Sequence, residues 1–143
     1  MTSYMNEAPM PKRSLAQRRL ARPTNAELEI LRVLWERGAS TVRDVHHSLD
    51  HAKPVGYTTV LKLLQIMTEK RLVTRDASVR SHVYAAAASE GATQRRMVAD
   101  LAKRAFGGST LGLVLHALSV TPTTARELDQ IRRLLDEKKG GRI

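Results

Sequence analysis

The sequence contains no cysteine. That absence excludes disulfides, thiolate metal sites, cysteine nucleophiles and thiol redox sensing. Aromatic residues are scarce: one Phe, one Trp and three Tyr. A surface that stacks the bases of single-stranded nucleic acid needs more rings than that. Long apolar runs are missing too, and none approaches the ~18–20 residues that cross a bilayer. The first residues carry no apolar core of the kind a secretory signal has. No membrane insertion is expected, and the expected compartment is the cytoplasm. There is no Gly-rich phosphate loop, no Gly-x-Ser-x-Gly elbow and no His-Glu-x-x-His. Neither catalytic residues nor a cofactor is therefore expected.

The other shortage is of acidic residues. Lys and Arg number 24 against 14 Asp and Glu, a formal charge of +10 over 143 residues. Such an excess points to a polyanionic partner, nucleic acid before membrane surface. Hydrophobic residues at 42% and charged residues at 27% are the proportions of a folded chain. The length suits one ordinary domain or two very small ones, with a core small enough that association with a second copy is one way to complete it.

The charge is spread along the chain. Residues 1–23 carry Pro9, Pro11 and Pro23, show no sustained period, and hold Lys12, Arg13, Arg18, Arg19 and Arg22 against Glu7. They read as a basic, flexible arm, either a DNA contact or a solvated tail. Residues 24–88 are close to neutral, with nine basic and seven acidic residues, and residues 89–143 hold ten against six.

Residues 24–88 carry the pattern of a winged helix-turn-helix domain. Thr24 and Glu27 form a capping box, Leu28, Leu31, Leu34 and Trp35 follow at helical spacing, and Gly38 ends the run, giving a helix over 25–37. Thr41 and Asp44 cap a second, short helix with Val42, Val45 and Leu49 on one face. Pro54 and Gly56 mark a loop over 51–56. A third helix over about 57–70 buries Val60, Leu63, Leu64 and Met67. The period then changes to short β-favouring runs at 72–76 and 81–85, joined by 77–80, which predicts a hairpin. Three short helices followed by a hairpin is the order of a winged helix.

In that arrangement the third helix is the recognition helix. Its first turn, Tyr57-Thr58-Thr59, lacks the Asp or Glu that the helix dipole favours, and Lys62 lies one turn on. Thr58, Thr59, Lys62 and Leu61 are the expected DNA contacts, because hydroxyls, methyls and an ammonium at a helix start suit base edges and phosphates. Arg75 and Arg80 in the hairpin are expected to reach phosphate, with solvated wing charges as the alternative. Tyr84 reads as a packing aromatic. His47 and His51 are spaced for a metal, but no third ligand completes a site, and no metal is expected.

Residues 89–143 read as three helices, each apolar on one side. The first runs from Ser89 to about Phe106 and is broken by Gly107-Gly108. The second, Thr110 to Leu118, is apolar on most of its surface. The third starts either at Pro122 after a Thr121 cap or at a Thr124/Glu127 box, and frays over 136–142. Leu101, Phe106, Leu111, Val114, Leu115, Leu128, Ile131 and Leu135 are the expected dimerisation residues, forming a helical dimerisation domain. A monomer whose C-terminal helices fold back on the winged domain is the alternative.

The chain resembles the BlaI/MecI/CopY family of bacterial winged-helix repressors over roughly residues 24–138. The resemblance rests on Ala26–Trp35, on Tyr57-Thr-Thr-Val-Leu-Lys-Leu-Leu64, on Arg80 with Val83-Tyr84, on Phe106-Gly-Gly108 and on Leu134-Leu-Asp136. It implies a homodimeric transcriptional repressor on a double-stranded inverted-repeat operator, contacted through Thr58, Thr59, Lys62 and Arg80. Copper-responsive members carry a C-terminal Cys cluster, which this chain lacks. The β-lactam-responsive members are cut at an Asn–Phe bond by a membrane sensor protease, and the equivalent bond here is His116–Ala117. The rival expectation, motivated by the near-neutral winged segment, is a protein-interaction module whose basic arm serves RNA or a membrane surface.

Overall fold

The computed structural model describes residues 22–49 and 54–141. Among them are six helices and three short strands: α1 (Asn25–Arg37), β1 (Ser40–Thr41), α2 (Val42–Ser48), α3 (Tyr57–Glu69), β2 (Val73–Asp76), β3 (Val83–Ala86), α4 (Glu90–Ala105), α5 (Thr110–Val120) and α6 (Ala125–Gly141). The protein is mainly α, a winged helix-turn-helix followed by a helical segment. Lys12, Arg13, Arg18 and Arg19 of the arm, and His51 of the suggested metal pair, lie outside the described residues.

Both predicted boxes form. Thr24 Oγ1 accepts from the Glu27 amide at 3.2 Å while Glu27 Oε1 accepts from the Thr24 amide at 2.9 Å. Thr41 and Asp44 repeat the exchange at 3.1 and 3.3 Å. Each cap satisfies amides that the helix cannot, worth about 1 kcal/mol. Gly38, with φ at 89°, closes α1 by donating to Leu34 O at 2.8 Å. The end of α3 is closed instead by Arg71, whose φ is 65°. Its amide donates to Thr68 O at 3.1 Å, and the Leu72 amide donates to Met67 O at 2.9 Å. This is a Schellman closure, a position where glycine is the usual residue because a Cβ there costs about 1–2 kcal/mol.

The predicted hairpin is the outer part of a three-stranded antiparallel sheet in the order β1-β3-β2. The two residues of β1 pair with the inner strand, Ser40 opposite Tyr84 and Thr41 opposite Val83. A strand that short has no period to detect. The hairpin register sets Val73 opposite Ala86 and Arg75 opposite Tyr84, with strands slightly shorter than expected. Ser40, Val73 and Tyr84 therefore share the sheet face that packs on the helices, and all three are buried.

The core joins α1, α2, α3 and this face. Ile30, Leu31, Leu34, Val45, Val60, Leu64 and Met67 are buried, and Leu63 is half-buried at the margin beside Leu28, Trp35 and Leu61. Two polar ties cross it. Lys70 Nζ lies 2.6 Å from Glu27 Oε1, joining the end of α3 to the start of α1, with Glu27 buried and Lys70 half-buried. Trp35 Nε1 donates to Ala88 O at 2.9 Å, fixing the exit of the sheet to α1.

The described residues fall into two compact units, one up to Met97 and one from Val98, with the division falling inside α4. Within the second unit, Gly107 and Gly108 have φ of 56° and 84° and break the chain between α4 and α5. Ser109 Oγ caps α5 by accepting from the Gly112 amide at 2.9 Å. The ring of Phe106 lies 5.5 Å from that of His116, whose Nδ1 is 2.9 Å from Gly112 O. The start of α6 decides between its two expected caps: Thr124 and Glu127 form the box, and Pro122 stays outside the helix. The expected fraying after Asp136 does not occur, and α6 is helical through Gly141. No side chain of the described residues in this unit is buried.

Candidate nucleic-acid interface

The starts of the helices in the winged domain differ in a telling way. α1 and α2 each begin with a filled box carrying Glu27 or Asp44. α3 begins after Gly56, with no side-chain cap and no acidic residue in its first turn. Among the described residues no side chain caps its first amides or offsets the positive end of its dipole. Tyr57, Thr58 and Thr59 are all exposed there.

Thr58, Thr59 and Lys62 fall on one exposed stripe, which Gln65 and Ile66 extend. Leu61 lies on the neighbouring stripe, one turn from Tyr57. It is half-buried, packs on the core margin, and lines an open groove between α2, α3 and the wing. Arg80 lines the same groove from the wing side. Arg75 is exposed, but its register opposite Tyr84 sets it on the helix-packing face of β2, and it does not line the groove. The structure thus brings Leu61 and Arg80 together, sets the Thr58–Lys62 stripe beside them, and leaves Arg75 apart.

Sequence reasoning missed several residues of this face. Arg43, His47, Tyr57, Ser81 and His82 also line the groove. The i, i+4 spacing of Tyr57 and Leu61 was a usable signal. The nearness of α2 to the wing was not, because it depends on the β1–β3 pairing. His46 has a structural part. Its Nε2 lies 2.8 Å from Val55 O, so that nitrogen must carry the donated hydrogen, and its ring meets Tyr57 edge-on at 6.0 Å. It thereby fixes the segment leading into α3.

Two carboxylates shape the surroundings. The Thr41 backbone amide and hydroxyl hold the Asp44 carboxyl below its ordinary range, with Arg37 and His47 adding to the effect. At the wing tip, the Ser78 hydroxyl and amide do the same for Asp76, at 2.6 and 2.9 Å. The resulting tight turn sets where the loop up to Arg80 leaves the strand. Among the described residues no group of His, Asp and Glu is placed to hold a metal ion, and no helix is long and apolar enough to cross a membrane.

A family model described as penicillinase repressor matches residues 23–137. The chain belongs to the penicillinase repressor family. The match runs through the winged domain and most of the C-terminal helices, agreeing with the resemblance carried by Ala26–Trp35 and Tyr57–Leu64. Among similar proteins is the transcriptional regulator BlaI of Mycobacterium tuberculosis, in strains CDC 1551 / Oshkosh and ATCC 25618 / H37Rv. Each is 32% identical over 125 residues, spanning 86% of this chain and 89% of the relative. As a penicillinase repressor family member the protein is a transcriptional regulator by kinship.

Proposed function

We propose that the protein is a sequence-specific DNA-binding transcriptional repressor that acts as a homodimer on a palindromic operator. The observation that carries this reading is the exposed, uncapped and acid-free start of α3 beside Arg80 of the wing. A helix presented in this way enters the major groove with its N-terminal residues toward base edges. Thr58, Thr59, Leu61 and Lys62 read or brace against the bases, while Arg80 binds phosphate.

The homodimer is supported by the C-terminal helices. Leu101, Leu111, Val114, Leu115, Leu128 and Leu135 are exposed, and Phe106 and Ile131 are half-buried. This much apolar surface is costly in water, and a two-fold partner covers it with a copy of itself. Two recognition helices held by such a dimer match an inverted repeat. Cleavage after His116 by a sensor protease would cut α5 in its middle and divide the face that the dimer uses, which supplies a route to derepression.

Fluorescence anisotropy with an inverted-repeat duplex, taken from a footprint on the protein's own upstream region, tests the reading against a scrambled duplex. The reading requires tighter binding to the inverted repeat at physiological salt, by roughly a thousandfold or more. Lys62→Ala and Arg80→Ala should each weaken binding and flatten the salt dependence by about one unit for every phosphate left unneutralised. Equal affinity for both duplexes overturns the specific-repressor reading, and failure to bind any duplex returns the fold to the protein-interaction alternative.

A further inference from the structure

The groove between α2, α3 and the wing holds groups that base reading by α3 does not use. Its lining includes Arg43 and His47 from α2, Tyr57 and Leu61 from α3, and Arg80, Ser81 and His82 from the wing. Two guanidinium groups and three imidazoles, that of His46 included, are thus gathered around one open concavity of 880 Å³. We propose that this groove is a second docking point for the DNA backbone, a phosphate seat formed by Arg43, Arg80, His47 and His82, and that filling it is coupled to proton uptake by the two histidines. The inference rests on the reading of this face as DNA-binding and adds its regulation by pH.

The charges around the groove favour an anion. Asp44 is its one carboxylate among the described residues; it accepts from the Thr41 amide at 3.3 Å with Arg37 Nη2 3.8 Å away, and its charge also acts on His47. The remaining ionisable neighbours are Tyr57, which is exposed, and Tyr84, which is buried in the core. Of the three histidines lining the groove, His46 is committed to Val55 O, whereas the rings of His47 and His82 are on exposed residues. Arg43 and Arg80 carry fixed charge at any physiological pH. Histidine is the side chain whose ordinary titration falls between pH 5 and 8.

The direction of the coupling follows from the charges. A phosphodiester entering the groove brings a negative charge to the imidazoles and neutralises the arginines that oppose their protonation. Both effects favour the imidazolium in the complex over the free protein. The complex then holds more protons than its separated parts, so affinity rises as pH falls through the histidine range and is lost as pH rises above it. A one-unit difference between bound and free states corresponds to about tenfold in affinity for each histidine.

The test is binding of the full chain to a fluorescein-labelled duplex of mixed sequence, at one fixed ionic strength, at pH 6, 7 and 8. Mixed sequence suffices because backbone contacts are independent of base identity. Wild type should bind about tenfold or more tightly at pH 6 than at pH 8. The doubly substituted variant His47→Gln/His82→Gln should lose most of that dependence, its affinity at pH 6 falling toward its own value at pH 8. His116→Gln, in α5, should retain it. Arg43→Ala should weaken binding at every pH and lower the salt slope by about one unit. Thermal unfolding of each variant verifies that the fold is intact. Binding that is equal at pH 6 and pH 8, or a double variant with full pH dependence, overturns the seat and leaves the repressor reading standing. Absence of binding to any duplex at low salt overturns both.

Discussion

The two halves of this chain solve burial differently. In the winged-helix half, thirteen apolar side chains among the described residues between Ile30 and Tyr84 are buried, and the described polar groups that enter the core are paired. In the C-terminal half, α5 carries Leu111, Val114, Leu115, Leu118 and Val120 to the surface, and α6 does the same with Leu128, Leu134 and Leu135. Both halves have well-formed helices with caps of similar quality. The contrast shows that local signals make helices in either setting, while a closed core requires elements that wrap one another. α1, α2, α3 and the sheet do that within the chain. The C-terminal helices require a second surface, which the homodimer proposal supplies.

The comparison can be broken most forcefully at the open surface. Leu115→Asp combined with Leu128→Asp introduces charges into a dimer interface and should weaken self-association by a hundredfold or more, at a cost of about 3 kcal/mol, with the winged domain still folded. Size-exclusion chromatography coupled to light scattering reads the change in mass. If both substitutions leave the mass and unfolding curve unchanged, those leucines are solvated in the native protein.

The closed half should respond oppositely, losing stability rather than assembly. Lys70→Met leaves the Glu27 carboxylate buried without its cation. It should lower the stability of the winged domain by about 3–4 kcal/mol in urea titration followed by Trp35 fluorescence. Leu64→Ala, which empties space at the centre of the core, should cost about 2–5 kcal/mol in the same measurement. An effect below ~1 kcal/mol for both would contradict the packing described.

Smaller effects separate the halves through their caps. The carboxyls of Asp44 and Glu127 are held below ordinary values chiefly by the backbone amides of Thr41 and Thr124. Their folded-state values are depressed, so the stabilisation is complete above the ordinary values of 3.8 and 4.5 and is lost as pH falls through the lower folded ones. Asp44→Asn should make the winged domain less sensitive to acid below pH 4, and Glu127→Gln should do so for α6, each monitored by circular dichroism during acid titration. Arg71→Gly is the smallest, relieving the left-handed backbone at the end of α3 and stabilising by about 1 kcal/mol.

Much of the winged domain was legible in the sequence because its signals are local. Thr24/Glu27 and Thr41/Asp44 announced two helix starts, and the spacing of Val60, Leu64 and Met67 identified the buried side of α3. What escaped was tertiary. β1 is two residues long and exists because Ser40 and Thr41 meet β3. Lys70 reads as a surface charge at a helix end until the fold brings it to Glu27, 43 positions earlier. The Thr58–Lys62 stripe could be read because helix geometry alone defines it. Arg43, His47 and His82 could not, since their meeting requires β1–β3 pairing to carry α2 to the wing. Pro122 points to a helix start one turn too early because a proline suits the first turn of a helix, but the Thr124–Glu127 exchange offers two hydrogen bonds where Thr121 with Pro122 offers fewer.

The claim on which the account turns is that the C-terminal helices are completed by a second copy. Sedimentation velocity of the intact chain over roughly a hundredfold range of concentration tests it most directly. The expected result is a species of twice the 15.9 kDa chain mass, dissociating only at the lowest concentrations. A folded species of single-chain mass across the whole range would contradict it.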